Sequence, residues 1–475
     1  MGRALAIENR RESACLRAAA LLLALSALLA GCASTPRPAP VDGFPKEPER
    51  LLIFVPGVLG SKLEAPSGRS VWGSGTDVIW PRDGGYEMAL PIVDREADDT
   101  LVAGIVDSVR LGPLYRRRVY DRLLDWFVER GYRVGDLEGD LSAGAATLFP
   151  FAYDFRRSNG AAVEELRDQL EALRAARGEE PLDFDLLCQS NGAYLCRLLV
   201  ARESRRSDGL PPLLPTRIGF VGTANGGGLR TLRELRDGRI YVPTLGIGRH
   251  FQAEVIFSFE SVFLDLPHAA RIQPRGAEPI FFDERGEPLA IDLYDAQEWV
   301  THGWTAFAPD ARRRLARSRA SGIFGTESDR VLYLQGALRE AAQLQEELMK
   351  GPASLEPAPQ LFMVQASHVP TIQGAVVRRR DDGEVETVFH GDKAAEELSD
   401  AARGRLTQPG DEHATIPSQQ WLSPEETSWL VAPTMEVEGG HFDMILLPEV
   451  LDRLAEFFLG DIFRGDIFLG DGDER

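Results

Sequence analysis

Asp185-Leu186-Leu187-Cys188-Gln189-Ser190-Asn191-Gly192-Ala193-Tyr194-Leu195 runs an apolar strand pattern straight into a helical one, through a turn that holds a single serine. A glycine stands two positions after that serine, where a small residue lets strand and helix cross closely. The segment has the form of a nucleophile elbow, in which a strained turn lifts a hydroxyl to the edge of a sheet. Its pattern is Cys-x-Ser-x-Gly, with the small side chain of Cys188 in place of the usual first glycine. Taken alone, the segment also fits a helix N-cap serine.

Outward from this turn, short apolar runs alternate with amphipathic helical patterns, the arrangement of a mostly parallel α/β sheet flanked by helices. Leu51–Val55, Thr147–Tyr153, Phe184–Cys188, Ile218–Val221 and Leu361–Gln365 read as strands, and Trp429–Val437 as a weaker one. Helices are predicted at Val119–Glu129 (closed by Gly131), Ala161–Ala176, Val331–Met349 and Pro448–Leu459. The main body spans 51–460. Two stretches break the alternation, at about 64–115 and 226–330, and insertions of that length are expected to form lids or a cap over the sheet's carboxyl edge. The second carries Phe257, Phe259, Phe263, Phe281, Phe282, Trp299 and Trp304. Residues 461–475 read as an acidic, solvated tail.

A serine hydroxyl needs a base to take its proton and a carboxylate to orient that base. With an elbow of this kind the chain order is serine, acid, histidine. Of the seven histidines (His250, His268, His302, His368, His390, His413 and His441), only His441 lies after the last candidate strand and before the last helix. Asp411 sits in the preceding loop, Gly410-Asp411-Glu412-His413-Ala414-Thr415-Ile416-Pro417. Asp411 as a turn former and His441 as an exposed loop residue are the bland readings. Their order with Ser190 favours Ser190, Asp411 and His441 as a catalytic set. Two N–H donors for an oxyanion are expected from the backbone of Asn191 and of Val58, in Val55-Pro56-Gly57-Val58-Leu59-Gly60-Ser61. That loop lacks both the dinucleotide and the P-loop signatures. No cofactor and no metal are called for.

The N-terminus sets a compartment. Arg3, Arg10, Arg11 and Arg17 precede an uncharged run from Ala18 to Ala30, too short to span a bilayer and typical of a secretory signal. Leu29-Ala30-Gly31-Cys32 resembles a bacterial lipobox, in which the Cys32 thiol receives a diacylglyceryl group; an ordinary signal cut near Ala30-Gly31 is the alternative. Residues 1–31 are thus expected to be a signal peptide and 32–50, with five prolines, an extended tether. The expected location is the bacterial cell envelope, lipid-anchored at the outer membrane on its periplasmic or surface side. Cys188 and Cys196 are no disulfide-dense framework. The two could pair in an oxidising periplasm, but a strand end and a site two helical turns on are expected to lie too far apart, which favours buried packing thiols. At 475 residues and 44% hydrophobic content the chain can bury a sizeable core, and a net charge of −20 argues against nucleic acid as the main partner.

With these residues in view, the chain resembles the lecithin:cholesterol acyltransferase family of α/β-hydrolases, which also includes lysosomal phospholipase/transacylases and phospholipid:diacylglycerol acyltransferases. The resemblance lies in Phe54–Glu64 (the family's oxyanion loop), Phe151–Arg156 (its Pro-Tyr-Asp-Trp-Arg segment), Leu187–Leu195 (the elbow), Gly222–Gly227 (Gly-x-Pro-x-Gly-Gly), Gly410–Pro417 (the acid loop) and His441. It implies an α/β-hydrolase fold and an acyl-serine mechanism on glycerolipid esters; a carboxylesterase on soluble esters and a catalytically silent envelope lipoprotein of the same fold are the alternatives. By that resemblance Ser190 attacks, His441 shuttles the proton, Asp411 holds the imidazole, and the amides of Val58 and Asn191 meet the oxyanion. Membrane phospholipid, with water or a lipid alcohol as acceptor, is the implied partner, and the aromatic insertions suit an acyl chain. The chain departs from the pattern at Gln189 (usually His), Cys188 (usually Gly), Asn225 (usually aromatic) and in the added residues between Asp411 and Thr415.

Overall fold

Leu51–Val55 is buried at every position, as a run of five apolar residues must be when helices cover both faces of its sheet. It is β1 of a six-stranded parallel sheet. The others are β2 (Leu148–Pro150), β3 (Phe184–Gln189), β4 (Arg217–Val221), β5 (Gln360–Gln365) and β6 (Met435–Glu436), in the spatial order β6-β5-β4-β3-β1-β2. The computed structural model describes residues 48–74, 81–111, 115–139, 141, 145–179, 181–239, 251–268, 279–316, 321–381 and 383–460. The expected signal peptide, Cys32, the tether as far as residue 47 and the tail 461–475 lie outside the described residues.

The expected strand Trp429–Val437 contracts to the two residues of β6, which pair with Val364 and Gln365. Pro433 has no N–H to give a ladder, and upstream of it only an isolated bridge joins Leu430 to Leu361. Four helices fall where the periodicity places them, α1 (Asp121–Val128), α2 (Asn159–Arg177), α5 (Glu327–Lys350) and α6 (Pro448–Leu459), and α3 (Gly192–Glu203) continues the elbow; α4 (Arg230–Asp237) lies inside the 226–330 stretch, where no helix is expected. α5 starts four residues before its first expected apolar position because Thr326 and Asp329 form a capping box, each closing the other's free N–H. α2 and α5 pack on α3, whose side chains are nearly all buried, while α6 packs on α1 and sets Phe458 against Gly219 of β4.

Strand order fixes where a ligand can sit. The chain leaves β1 for β2 on one side and returns to β3 on the other, and β1 and β3 lie in register from Leu51 opposite Phe184 to Val55 opposite Cys188. The loops after these two strands therefore emerge side by side at the carboxyl edge, at a topological switch point. The stretch after β1 folds as antiparallel strands (Ser61–Glu64, Ser70–Trp72, Leu101–Ile105) and a hairpin (Ser108–Leu111, Tyr115–Arg118). After β5 the chain makes a second antiparallel excursion, in which Val369–Ile372 pairs with Thr407–Gly410.

Within β3, Asp185 is buried and, among the described residues, neither of its carboxylate oxygens has a hydrogen-bond partner. Burial pushes its pKa up to about 7 against the opposing pull of Arg217 and Arg50. Between about pH 4 and pH 7 the folded protein therefore keeps a proton that the unfolded chain has lost, and stability falls as pH rises through that window. Asp185→Asn is expected to remove this slope and to stabilise the protein at pH 8 by roughly 2–4 kcal/mol. Urea unfolding of both proteins at pH 5 and pH 8 checks it; a difference independent of pH would dispose of the explanation.

Candidate active site

The chain turns from β3 into α3 at Ser190, whose φ of +53° is a left-handed conformation rare for a residue with a Cβ. Two glycines make the turn possible. A Cβ on Gly192 would lie 2.2 Å from the Val55 carbonyl oxygen, and one on Gly57 would lie 2.8 Å from the Ser190 Cβ. The elbow reverses the chain so sharply that the second turn of α3 returns past the end of β3. Cys188 and Cys196 thereby come within 6.7 Å at their Cα atoms and form a disulfide. The expectation of two separate packing thiols is overturned by this reversal, which residue spacing along a straight strand and helix does not convey.

The Ser190 Oγ lies 2.8 Å from His441 Nε2, and His441 Nδ1 lies 2.7 Å from Asp411 Oδ2. His441 follows β6, while Asp411 closes the antiparallel excursion that leaves β5; the His441 N–H donates to the Asp411 carbonyl at 3.0 Å and ties the two loops. The other carboxylate oxygen of Asp411 accepts the N–H groups of His413 at 2.9 Å and Ala414 at 2.7 Å. Burial alone would favour the neutral acid, but the contact with His441 and these N–H groups hold Asp411 below the usual carboxylate range. An ionised carboxylate only accepts, so Nδ1 of His441 carries the hydrogen and Nε2 offers a lone pair to the serine.

Val58 and Asn191 line the same narrow cavity as Ser190 and His441, and among the described residues no acceptor takes either backbone N–H. The loop that carries Val58 is pinned from several sides. Gln189 Oε1 accepts the Gly57 N–H at 3.2 Å and the Tyr120 hydroxyl at 2.7 Å, and the Tyr153 hydroxyl donates to the Pro56 carbonyl at 3.1 Å. The Asn191 side chain donates in turn to the Tyr153 hydroxyl and to Asn159 Oδ1. Gln189 and the Phe151–Arg156 segment are therefore supports of this loop. Within that segment Arg156, fully buried, pairs with Asp154 at 2.8 Å and Asp98 at 2.7 Å. Asn225 ties the Gly222–Gly227 stretch to the carbonyl of Gln419, beyond the acid loop.

None of the aromatic residues expected to suit an acyl chain lines the cavity at Ser190. Phe257, Phe259, Phe263, Phe281, Phe282, Trp299 and Trp304 are each at most 2% exposed. Packing explains it: Phe263 meets Trp299, Trp304 stacks on Phe281, and Tyr333 of α5 meets Phe257 and Phe263. The apolar walls of the cavity are instead Val58, Leu235, Ile256, Val262 and Phe442. Two polar residues of the wall, His413 and Asp265, carry no role in the sequence reading, although His413 belongs to the acid loop with added residues.

No protein-family model and no curated protein matches the sequence. Among solved structures, a chain in the crystal structure of the Tle4–Tli4 complex superposes with a TM-score of 0.50 at 11% identity, covering 85% of this chain and 97% of that one. EstA from Clostridium botulinum aligns over 91% of this chain and 93% of its own at 13% identity, with a TM-score of 0.31, too slight a likeness to argue from. The parallel sheet with its switch point, the flanking helices and the turn at Ser190 make this an α/β-hydrolase fold.

Proposed function

We propose that the chain is a serine-dependent acyl hydrolase or acyltransferase of the lecithin:cholesterol acyltransferase type, acting on the acyl esters of glycerophospholipids. The observation that carries this reading is the continuous hydrogen-bonded chain from Ser190 Oγ through His441 to buried Asp411, beside two N–H groups with no protein acceptor. His441 Nε2 takes the serine proton as Oγ adds to the ester carbonyl, and Asp411 steadies the imidazolium that forms. The N–H groups of Val58 and Asn191 meet the charge on the carbonyl oxygen, each contributing about 3 kcal/mol. Collapse expels the lysophospholipid alcohol, protonated by His441, and leaves an acyl-serine. Water or a lipid alcohol, deprotonated by the same imidazole, then releases the acyl group.

The apolar cavity walls suit the acyl chain. A signal peptide over 1–31 and a lipid on Cys32 would hold the enzyme in the bacterial cell envelope, where its substrate is membrane lipid. A fluorophosphonate probe tests the chemistry: Ser190 is expected to take the label and Ser190→Ala to take none. A folded protein without label at Ser190 removes the proposal. Substrate class is read by comparing phosphatidylcholine vesicles with a short p-nitrophenyl ester. Faster release of lysophospholipid from vesicles is expected, and turnover confined to the soluble ester would make the chain a carboxylesterase. Mass spectrometry with a sterol added distinguishes free fatty acid from steryl ester.

A further inference from the structure

Beside His441 stands a second imidazole. The rings of His413 and His441 lie 4.6 Å apart at their centroids and 37° from parallel. His413 Nε2 lies 2.7 Å from Asp265 Oδ2, an oxygen that also accepts the Thr231 hydroxyl at 2.6 Å, while Asp265 Oδ1 accepts the Tyr194 hydroxyl at 3.0 Å. Both residues line the cavity that holds Ser190. The backbone explains how His413 reaches it: Glu412 takes a φ of +81°, its N–H donating to Thr371 Oγ1 at 2.9 Å, and the next residue swings under His441. A cap loop, a helix and the acid loop thus converge on one side chain that takes no part in the hydrogen-bonded chain from Ser190 to Asp411.

We propose that His413, anchored by Asp265, is a positioning residue for the acyl-transfer site, holding His441 as the neutral base between Asp411 and Ser190. The inference rests on the acyl-serine reading above and deepens it. Burial would discharge His413, but the Asp265 carboxylate outweighs burial and brings its pKa up to about 9, so the ring is an imidazolium at neutral pH. A fixed cation against His441 opposes a second positive charge on the neighbouring ring. Other charges face the pair. On α4, Glu234 reinforces the charge of His413, and Arg230, paired with Glu234 at 3.0 Å, opposes it. The charges of His441 and His413 both favour the ionised form of Asp411, so the proton that His441 gains during reaction still meets a carboxylate.

The test is the pH dependence of fluorophosphonate labelling at Ser190, which needs no knowledge of the natural substrate. Asp265→Asn keeps the shape of the site and leaves His413 neutral; His413→Phe keeps a ring against His441 and removes the charge. In both, the acid limb of the labelling rate is expected to move up by roughly one pH unit, so that at a fixed pH well down that limb labelling slows by about tenfold relative to the parent. Two folded variants whose limbs stay within about 0.3 unit of the parent's, or move down, overturn the proposal. Should His413→Phe not fold, Asp265→Asn carries the same test, since it replaces one oxygen by an NH₂ group. An unsubstituted protein that takes no label is the failure of the acyl-serine reading, and is told apart by that result.

Discussion

Asp411→Asn is expected to lower kcat/KM by about 10⁴-fold while the protein stays folded. The asparagine oxygen can still accept the N–H groups of His413 and Ala414, so the loop keeps its shape. The amide NH₂ then faces His441 Nδ1, 2.7 Å away in the parent, and as a donor it turns the imidazole into the tautomer with hydrogen on Nε2. That hydrogen points at Ser190 Oγ, where a lone pair is needed, and a neutral amide gives the imidazolium no support. Steady-state kinetics beside the far-ultraviolet spectrum and unfolding midpoint of each protein checks it. Activity within tenfold of the parent would mean that Asp411 does not orient the base.

Ser190→Ala is expected to cost on the order of 10⁶-fold in kcat, since the remaining groups have nothing to acylate. Its stability should match the parent's, because alanine keeps the Cβ that the left-handed turn strains against. Ser190→Gly separates function from strain. It is equally inactive, yet it removes the Cβ at a φ of +53° and should raise stability by about 1 kcal/mol. Kinetics and chemical unfolding of the three proteins together read both effects. Residual turnover above about one per cent in Ser190→Ala, or a less stable Ser190→Gly, would contradict the account of the elbow.

Much of this arrangement was legible because burial and turn chemistry leave marks in sequence. Leu51–Val55 is continuous in its apolar residues because both faces of β1 are covered, and Pro448–Leu459 opens with proline at its first turn, where no N–H is missed. The elbow and the order of Ser190, Asp411 and His441 were readable as well. What long-range packing decides was not. The four strands between Val369 and Gly410 carry arginine, glutamate and threonine among their apolar residues and show no clear alternation. Asp265 meets His413 across 148 residues, and nothing local marks either as a partner. The aromatic residues of 226–330 look like a lid's lining by composition, and only their mutual contacts make them core.

The disulfide beneath the turn at Ser190 also orders events in time. Both sulfurs belong to residues with no solvent exposure, one ending the strand and the other held under the helix that covers it. An oxidant can reach them only while α3 is still undocked, so the bond must close during folding rather than after it. A polypeptide that packs this core among reduced thiols seals two sulfhydryls inside, and later transfer to an oxidising space does not join them without first undoing the fold.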